Sequence, residues 1–304
     1  MCFRKPSVIA YAAVVGKAEN EGPYGGEFDE VVEDNKAGSD TWEQAESLFQ
    51  QRAVGHVLRK SGLEPDRIDL MIAGDLLNQC IGSSFAARGQ DIPFFGLYGA
   101  CSTMGEGLAL ASMTLDGGFG EWAAVVVSSH FCTAERQFRT PLEYGSQRAP
   151  TAQWTATASG SAVLGMSGDI QVRHATVGRI TDLGVTDMTN MGAAMAPAAA
   201  QTLLDFFNDT ATKPEDYDRI YTGDLGAVGT KLLYELLREN GIVLRNHEDC
   251  GLILFDCEAQ DVHAGGSGCG CSASVLTGYL LNGMREGRWK NILFCPTGAL
   301  HSPT

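Results

Sequence analysis

The feature that most constrains this chain is a repeat inside it. "PDRIDLMIAGDL" (Pro65 to Leu76) and "PEDYDRIYTGDL" (Pro214 to Leu225) share an acidic turn, an Asp two residues before an Ile, and a closing Gly-Asp-Leu. A second pair follows in the same order. "GACSTMGEGLALASMTLDGGFGEWAAVVVSSH" from Gly99 and "GCGCSASVLTGYLLNGMREGRWKNILFC" from Gly268 each open a helix on small residues. Each then passes a glycine-bearing loop with a tryptophan, Trp122 or Trp289, and enters a strand. A spacing of about 150 residues is far too long for a solenoid. The chain therefore reads as two similar halves, 1–168 and 169–304, divided where Gly165 to Gly168 break the strand "SAVLGM".

Apolar runs alternating with amphipathic stretches predict layered α/β structure. In the first half the pattern predicts strand Ser7 to Val15, helix Thr41 to Ser61, strand Ile68 to Ala73, helix Cys101 to Leu115 and strand Ala123 to Ser128. The second half echoes it with strand Ile170 to Arg179, helix Ala193 to Phe207, strand Arg219 to Thr222, helix Val228 to Asn240 and strand Gly251 to Phe255. The glycine-rich, acidic stretch from Gly16 to Asp40 reads as a long surface loop.

Composition excludes several function classes. A formal charge of -15, with 22 scattered Lys and Arg, argues against nucleic acid, whose phosphates need clustered cations. No stretch approaches the roughly 18 apolar residues of a membrane span, and Met1 to Ala13 lacks the features of a secretory signal, so any membrane contact is expected to be peripheral. Nine cysteines, several inside apolar runs, read as free thiols of a reducing compartment. Cys269 and Cys271, with Cys257 and His263 upstream, invite a zinc reading, but Cys-x-Cys is not the usual knuckle spacing, and no metal is expected.

"FFGLYGACSTMGEG" places Cys101 after a strand and at a helix start, where free backbone N–H groups and the helix dipole favour a thiolate. The competing reading is a small buried thiol packed under the helix. Duplicated α/β halves with such a cysteine resemble the thiolase and β-ketoacyl synthase superfamily. The resemblance implies a duplicated, thiolase-like αβαβα layered fold, a homodimer, and Cys101 at the acyl-accepting position. It also implies a histidine and an asparagine beside that cysteine. Here the histidine position reads Thr222 or its neighbour, and the asparagine position falls in the Cys269 to Cys271 turn; threonine is no base near neutral pH. Cys295 in "FCPTGALHSPT" lies near the family's second cysteine. His130, after the strand that follows the Cys101 helix, is the best substitute base in the first half, with His263 and His301 near the second-half loops. The superfamily's chains continue from this loop into a closing strand, so that strand is expected to be supplied elsewhere or absent.

Further strings, "AGDLLNQ", "TAERQFR", "MAPAAA", "YTGDLG", "HEDCGL", "AGGSGCGCSA" and "TGALHSPT", are similar to the stage V sporulation protein AD family of endospore-forming bacteria. That resemblance implies binding of dipicolinate (pyridine-2,6-dicarboxylate), its uptake into the developing spore, and membrane partners from the same operon at the spore inner membrane. Calcium enters only as the ligand's companion. The candidate ligand-binding set is Cys101, Ser102, His130, Arg136, Arg139, Thr222, Asp224, Cys269 and Cys271, with Arg136 and Arg139 as the expected carboxylate forks. Two alternatives stand beside ligand binding: an acyltransferase using Cys101, and a scaffold for membrane partners.

Overall fold

The computed structural model describes residues 1–138 and 148–300. In chain order the elements are β1 (Ser7–Gly16), α1 (Lys17–Asn20), β2 (Glu30–Val32), α2 (Trp42–Ser61), β3 (Leu70–Gly74), α3 (Ile81–Ala87), β4 (Phe94–Leu97) and α4 (Thr103–Asp116). There follow β5 (Ala123–Ser129), α5 (Phe131–Phe138), β6 (Trp154–Thr155), β7 (Ala158–Gly165), β8 (Ile170–Gln171), α6 (Met191–Thr210) and β9 (Arg219–Thr222). The chain continues through α7 (Gly226–Glu239), β10 (His247–Asp249), α8 (Cys250–Leu254), β11 (Gly266–Ser267), α9 (Cys269–Val275), α10 (Leu281–Arg285) and β12 (Ile292–Cys295).

Two main sheets, beside a two-stranded parallel pair of β6 and β11, organise these elements. The larger has the order β2-β1-β7-β5-β3-β4, with β8 added to β1; the smaller has the order β10-β9-β12. β7 runs antiparallel to both β1 and β5, whereas β3 pairs parallel with β5 and β4, and β9 pairs parallel with β10 and β12. Alternation along the strands splits their side chains between layers. Val125 and Val127 of β5 face a middle core shared with Met104 of α4 and Ala273 of α9, while Ala124 and Val126 face an outer core with Phe49 and Val54 of α2. On β9, Tyr221 joins the middle core and Ile220 joins a third core with Leu203 of α6 and Leu233 of α7. Three cores between two sheets and three helical layers make the five-layer αβαβα arrangement.

The repeat is visible in space. α2 and α6 are both 20 residues long, and each is capped by a side chain, Thr41 accepting from Gln44 N and Asn190 accepting from Ala193 N. β3 matches β9, β5 matches β12, and α4 and α9 lie in the middle layer.

Three sequence-based expectations are corrected. Gly251 to Phe255 is not a strand: Cys250–Leu254 is a short helix, and the strand beside β9 is His247–Asp249. A five-residue apolar run carries no decisive period, and here Gly251 packs so tightly on the Gly266 carbonyl that a side chain would reach 2.5 Å. The strand expected over Ile170 to Arg179 ends at Gln171, where its pairing with β1 stops. The stretch from Gly16 to Asp40 is not all surface loop, because β2 adds a parallel strand to β1 and Glu19 is 1% exposed.

Candidate functional site

Cys101 lies in the 3-10 turn Ala100–Ser102 that joins β4 to α4. Ala100 holds φ at 50°, a left-handed conformation costly for a residue with a Cβ, and strain of this kind aims the next side chain inward. The hydroxyls of Ser102 and Thr103 donate to the carbonyls of Gly99 (2.7 Å) and Ala100 (2.6 Å), so Ser102 serves the turn itself. The final loop closes over it: a Cβ on Gly298 would collide with the Gly99 carbonyl, and Pro296 sits against Gly105 and Gly223. Cys101 is consequently 5% exposed.

Its neighbours come from the second half. Burial pushes the Cys101 thiol well above the usual range, and the Asp224 carboxyl beside it pushes further the same way. Asp224 is fully buried on the turn between β9 and α7. Its Oδ2 accepts from Gly268 N (2.8 Å) and Ser267 Oγ (3.2 Å), and the Cys101 thiol is a further hydrogen-bond donor to the carboxyl. Burial, with the nearby Asp249 charge, raises the Asp224 carboxyl to about 7. Cys269 donates its thiol to the Ser128 carbonyl (2.9 Å), and both Cys269 and Cys271 are fully buried with raised pKa.

A second carboxyl group belongs to the same band. Asp75, which ends the first copy of the Gly-Asp-Leu repeat as Asp224 ends the second, accepts from Leu77 N (2.8 Å), Ser83 N (2.7 Å) and Ser83 Oγ (2.6 Å). Glu46 of α2 accepts from Ser128 Oγ (3.1 Å) and Thr133 Oγ1 (2.7 Å). Burial raises Glu46, and the neighbouring Asp75 charge adds to it. Both carboxyls act on Cys269, as Asp224 does. Sequence reading missed Asp75 and Glu46; the signal available was the repeat, which carries an Asp at the same place in each half.

Thr222 occupies a different network. Tyr234 donates to His247 Nδ1 (2.9 Å), His247 Nε2–H donates to Thr222 Oγ1 (2.9 Å), and Thr222 donates to Asp249 Oδ2 (2.6 Å). Every donor has its acceptor, so the imidazole is neutral, and burial lowers its pKa to about 4. Asp249 also accepts from Leu225 N (2.8 Å) and Gly226 N (3.0 Å), which fixes the turn carrying Asp224. His247 was also missed; its register beside Thr222 depends on β10, which the sequence pattern did not place.

The remaining candidates are engaged with other partners. His130 donates from Nε2 to the Asn35 carbonyl (2.8 Å) and accepts at Nδ1 from Cys132 N (3.2 Å). His263 contacts the Ala149 carbonyl and Asp261. Arg136 is half exposed and paired with Glu43. Cys295 is held up to about 12 by burial. Arg139 and His301 lie outside the described residues. Among the described residues, no group of three or more His, Cys, Asp or Glu side chains is placed to hold a metal ion.

A family model described as stage V sporulation protein AD matches residues 1–304. The chain belongs to the stage V sporulation protein AD family. It is 46% identical to the stage V sporulation protein AD of Bacillus subtilis (strain 168) over 305 residues, covering 99% of this chain and 90% of that one. Among solved structures it is similar to a variant of Xanthomonas campestris OleA, at 16% identity and TM-score 0.66, covering 98% of this chain and 96% of that one. The 3-oxoacyl-(acyl carrier protein) synthase III of Xanthomonas oryzae pv. oryzae gives the same identity, score and coverage. These likenesses establish the thiolase-like fold, and family membership places the chain among sporulation proteins. Among the described residues, no helix is long and apolar enough to cross a membrane.

Proposed function

We propose that this member of the stage V sporulation protein AD family binds pyridine-2,6-dicarboxylate at the Cys101 turn and supports its uptake into the developing spore, without condensing chemistry. One observation carries the reading: the Cys101 thiol faces the Asp224 carboxyl, while each described histidine is engaged elsewhere. A carboxylate beside a thiol favours the protonated, non-nucleophilic form, the opposite of what acyl transfer requires. What remains is a buried polar cluster of thiols and carboxyls at the start of the 14-residue helix α4.

Titration calorimetry with pyridine-2,6-dicarboxylate, with and without calcium, tests the reading; saturable heat is expected, and none under either condition would sink it. Incubation with acyl-CoA thioesters followed by intact mass is expected to leave Cys101 unmodified. An adduct there would favour the acyltransferase alternative.

The same proposal includes a homodimer, and membrane partners from the same operon at the spore inner membrane. The homodimer draws support from β4, which among the described residues pairs with β3 alone and exposes Phe95 (63%), with Tyr98 (51%) exposed just past its end.

A further inference from the structure

We propose that the cavity between α2, α5 and the turn 77–80 is a second binding site, apart from the Cys101 turn, for the carboxylate of a small organic anion. Arg136 receives the carboxylate, and Glu43 holds the guanidinium until it arrives. The cavity has a volume of about 520 Å³, within the range of small-molecule sites. The site does not depend on what the Cys101 turn binds.

Three local structures build it. Glu43 lies in the first turn of α2, near the positive end of the helix dipole, and Arg136 lies in the last turn of α5. The turn 77–80 carries two consecutive left-handed residues, Gln79 (φ 65°) and Cys80 (φ 49°), neither of them glycine. Such backbone persists only where its surroundings hold it. Here Gln137 of α5 accepts from Asn78 N (3.1 Å) and donates to the Leu76 carbonyl (3.3 Å), and Tyr98 donates to Asn78 Oδ1 (3.2 Å). The held turn lines the cavity with the exposed amides of Asn78 and Gln79 beside apolar Leu77 and Ile81. Buried Thr133, which donates to Glu46 Oε2 (2.7 Å), completes the lining.

An ion pair inside the cavity identifies the ligand class. Among the described lining residues Glu43 and Arg136 alone carry charge, and Arg136 Nη2 contacts Glu43 Oε1. The guanidinium therefore already receives a carboxylate. The Arg136 side chain is 54% exposed and that of Glu43 29%, and a pair so open to water is held weakly. Glu43 released from it still sits in the first turn of α2, where the dipole favours its charge. A soluble carboxylate can take its place on the same planar fork, in the bidentate geometry that a guanidinium offers. Glu43 and Arg136 then act in opposition, the first competing with the ligand for the second.

The test is calorimetry with pyridine-2,6-dicarboxylate on four intact proteins: the wild type, Glu43→Gln, Arg136→Gln and the double variant. Glu43→Gln is expected to bind about threefold tighter, because it frees the guanidinium. Arg136→Gln is expected to bind about tenfold or more weaker, through loss of the charge-assisted fork. In the double variant the gain from Glu43→Gln is expected to disappear, because Glu43 acts through Arg136. A pair that only stabilises the fold would weaken binding in both single variants, and that result overturns the proposal. A gain from Glu43→Gln that survives in the Arg136→Gln background overturns it as well. Wild-type heat that neither variant alters would remove this site and leave the Cys101 reading standing. A silent wild type, with heat that appears in Glu43→Gln and is lost in the double variant, would do the reverse. No heat from any of the four would remove both.

Discussion

Buried carboxyls without cations set the behaviour of individual residues here. Glu19 is the simplest case: one oxygen accepts from Thr157 N (2.9 Å), the other has no partner, and burial raises its pKa from 4.5 to about 7. The folded-state value is the higher one. Its contribution is therefore fully present below about 4.5 and is lost as pH rises towards about 7, when the unfolded chain ionises and the folded one resists. Glu19→Gln is expected to flatten the stability profile over that window, where the wild type loses roughly 3 kcal/mol. Denaturant melts at several pH values read this directly, and parallel profiles for the two proteins would refute it. Such residues were hard to read from sequence. Cys101 announced itself through a strand, a small-residue turn and a helix in one short window. Glu19 sits in an acidic stretch that looks solvated, and only the segments folded over it decide otherwise.

Elements in this fold are held at unusually short range by glycine. Gly160 on β7 faces α9, and a Cβ there would collide with the Ala273 carbonyl and meet Thr277 Oγ1 at 2.8 Å. Neither backbone carbonyl nor helix can give way without parting the middle layer from the larger sheet. Gly160→Ala is expected to cost about 1–3 kcal/mol, seen as a lowered thermal midpoint. Gly89→Ala, which has nothing within 4 Å, serves as the control and is expected to be near neutral. Equal midpoints for the two variants would refute the packing argument. Element identity followed the sequence where the period was long, as in α2 and β5. It failed at Gly251 to Phe255, where five apolar residues fit a strand or a helix equally and the close approach of Gly266 selected the helix.

For the whole molecule, the open edge of β4 is the feature that bears on assembly. Its exposed Phe95, with Tyr98 just past the end, stands on a strand whose far side has no partner among the described residues, and Phe85 (48% exposed) lies on α3. Two such edges meeting across a two-fold axis would join two sheets into one and cover these rings. Light scattering is expected to report a dimer for the wild type and a monomer for Phe95→Glu; a monomeric wild type would end the argument. The second sheet is the less protected of the two. β5 is buried at every position, whereas Ile292, Leu293 and Phe294 of its counterpart β12 are only partly covered.

The sequence by itself determined the duplication, the layered α/β class and the strand-turn-helix setting of Cys101, because each is written in local patterns of period, turn residues and repeat. Tertiary structure alone decided what surrounds that cysteine. Asp224 reaches Gly268 across 44 residues, Cys269 reaches Ser128 across 141, and Ser128 reaches Glu46 across 82. Burial, and with it the raised pKa of the carboxyls and thiols around Cys101, arises only when those distant segments close on one another. A local window carries no record of that desolvation.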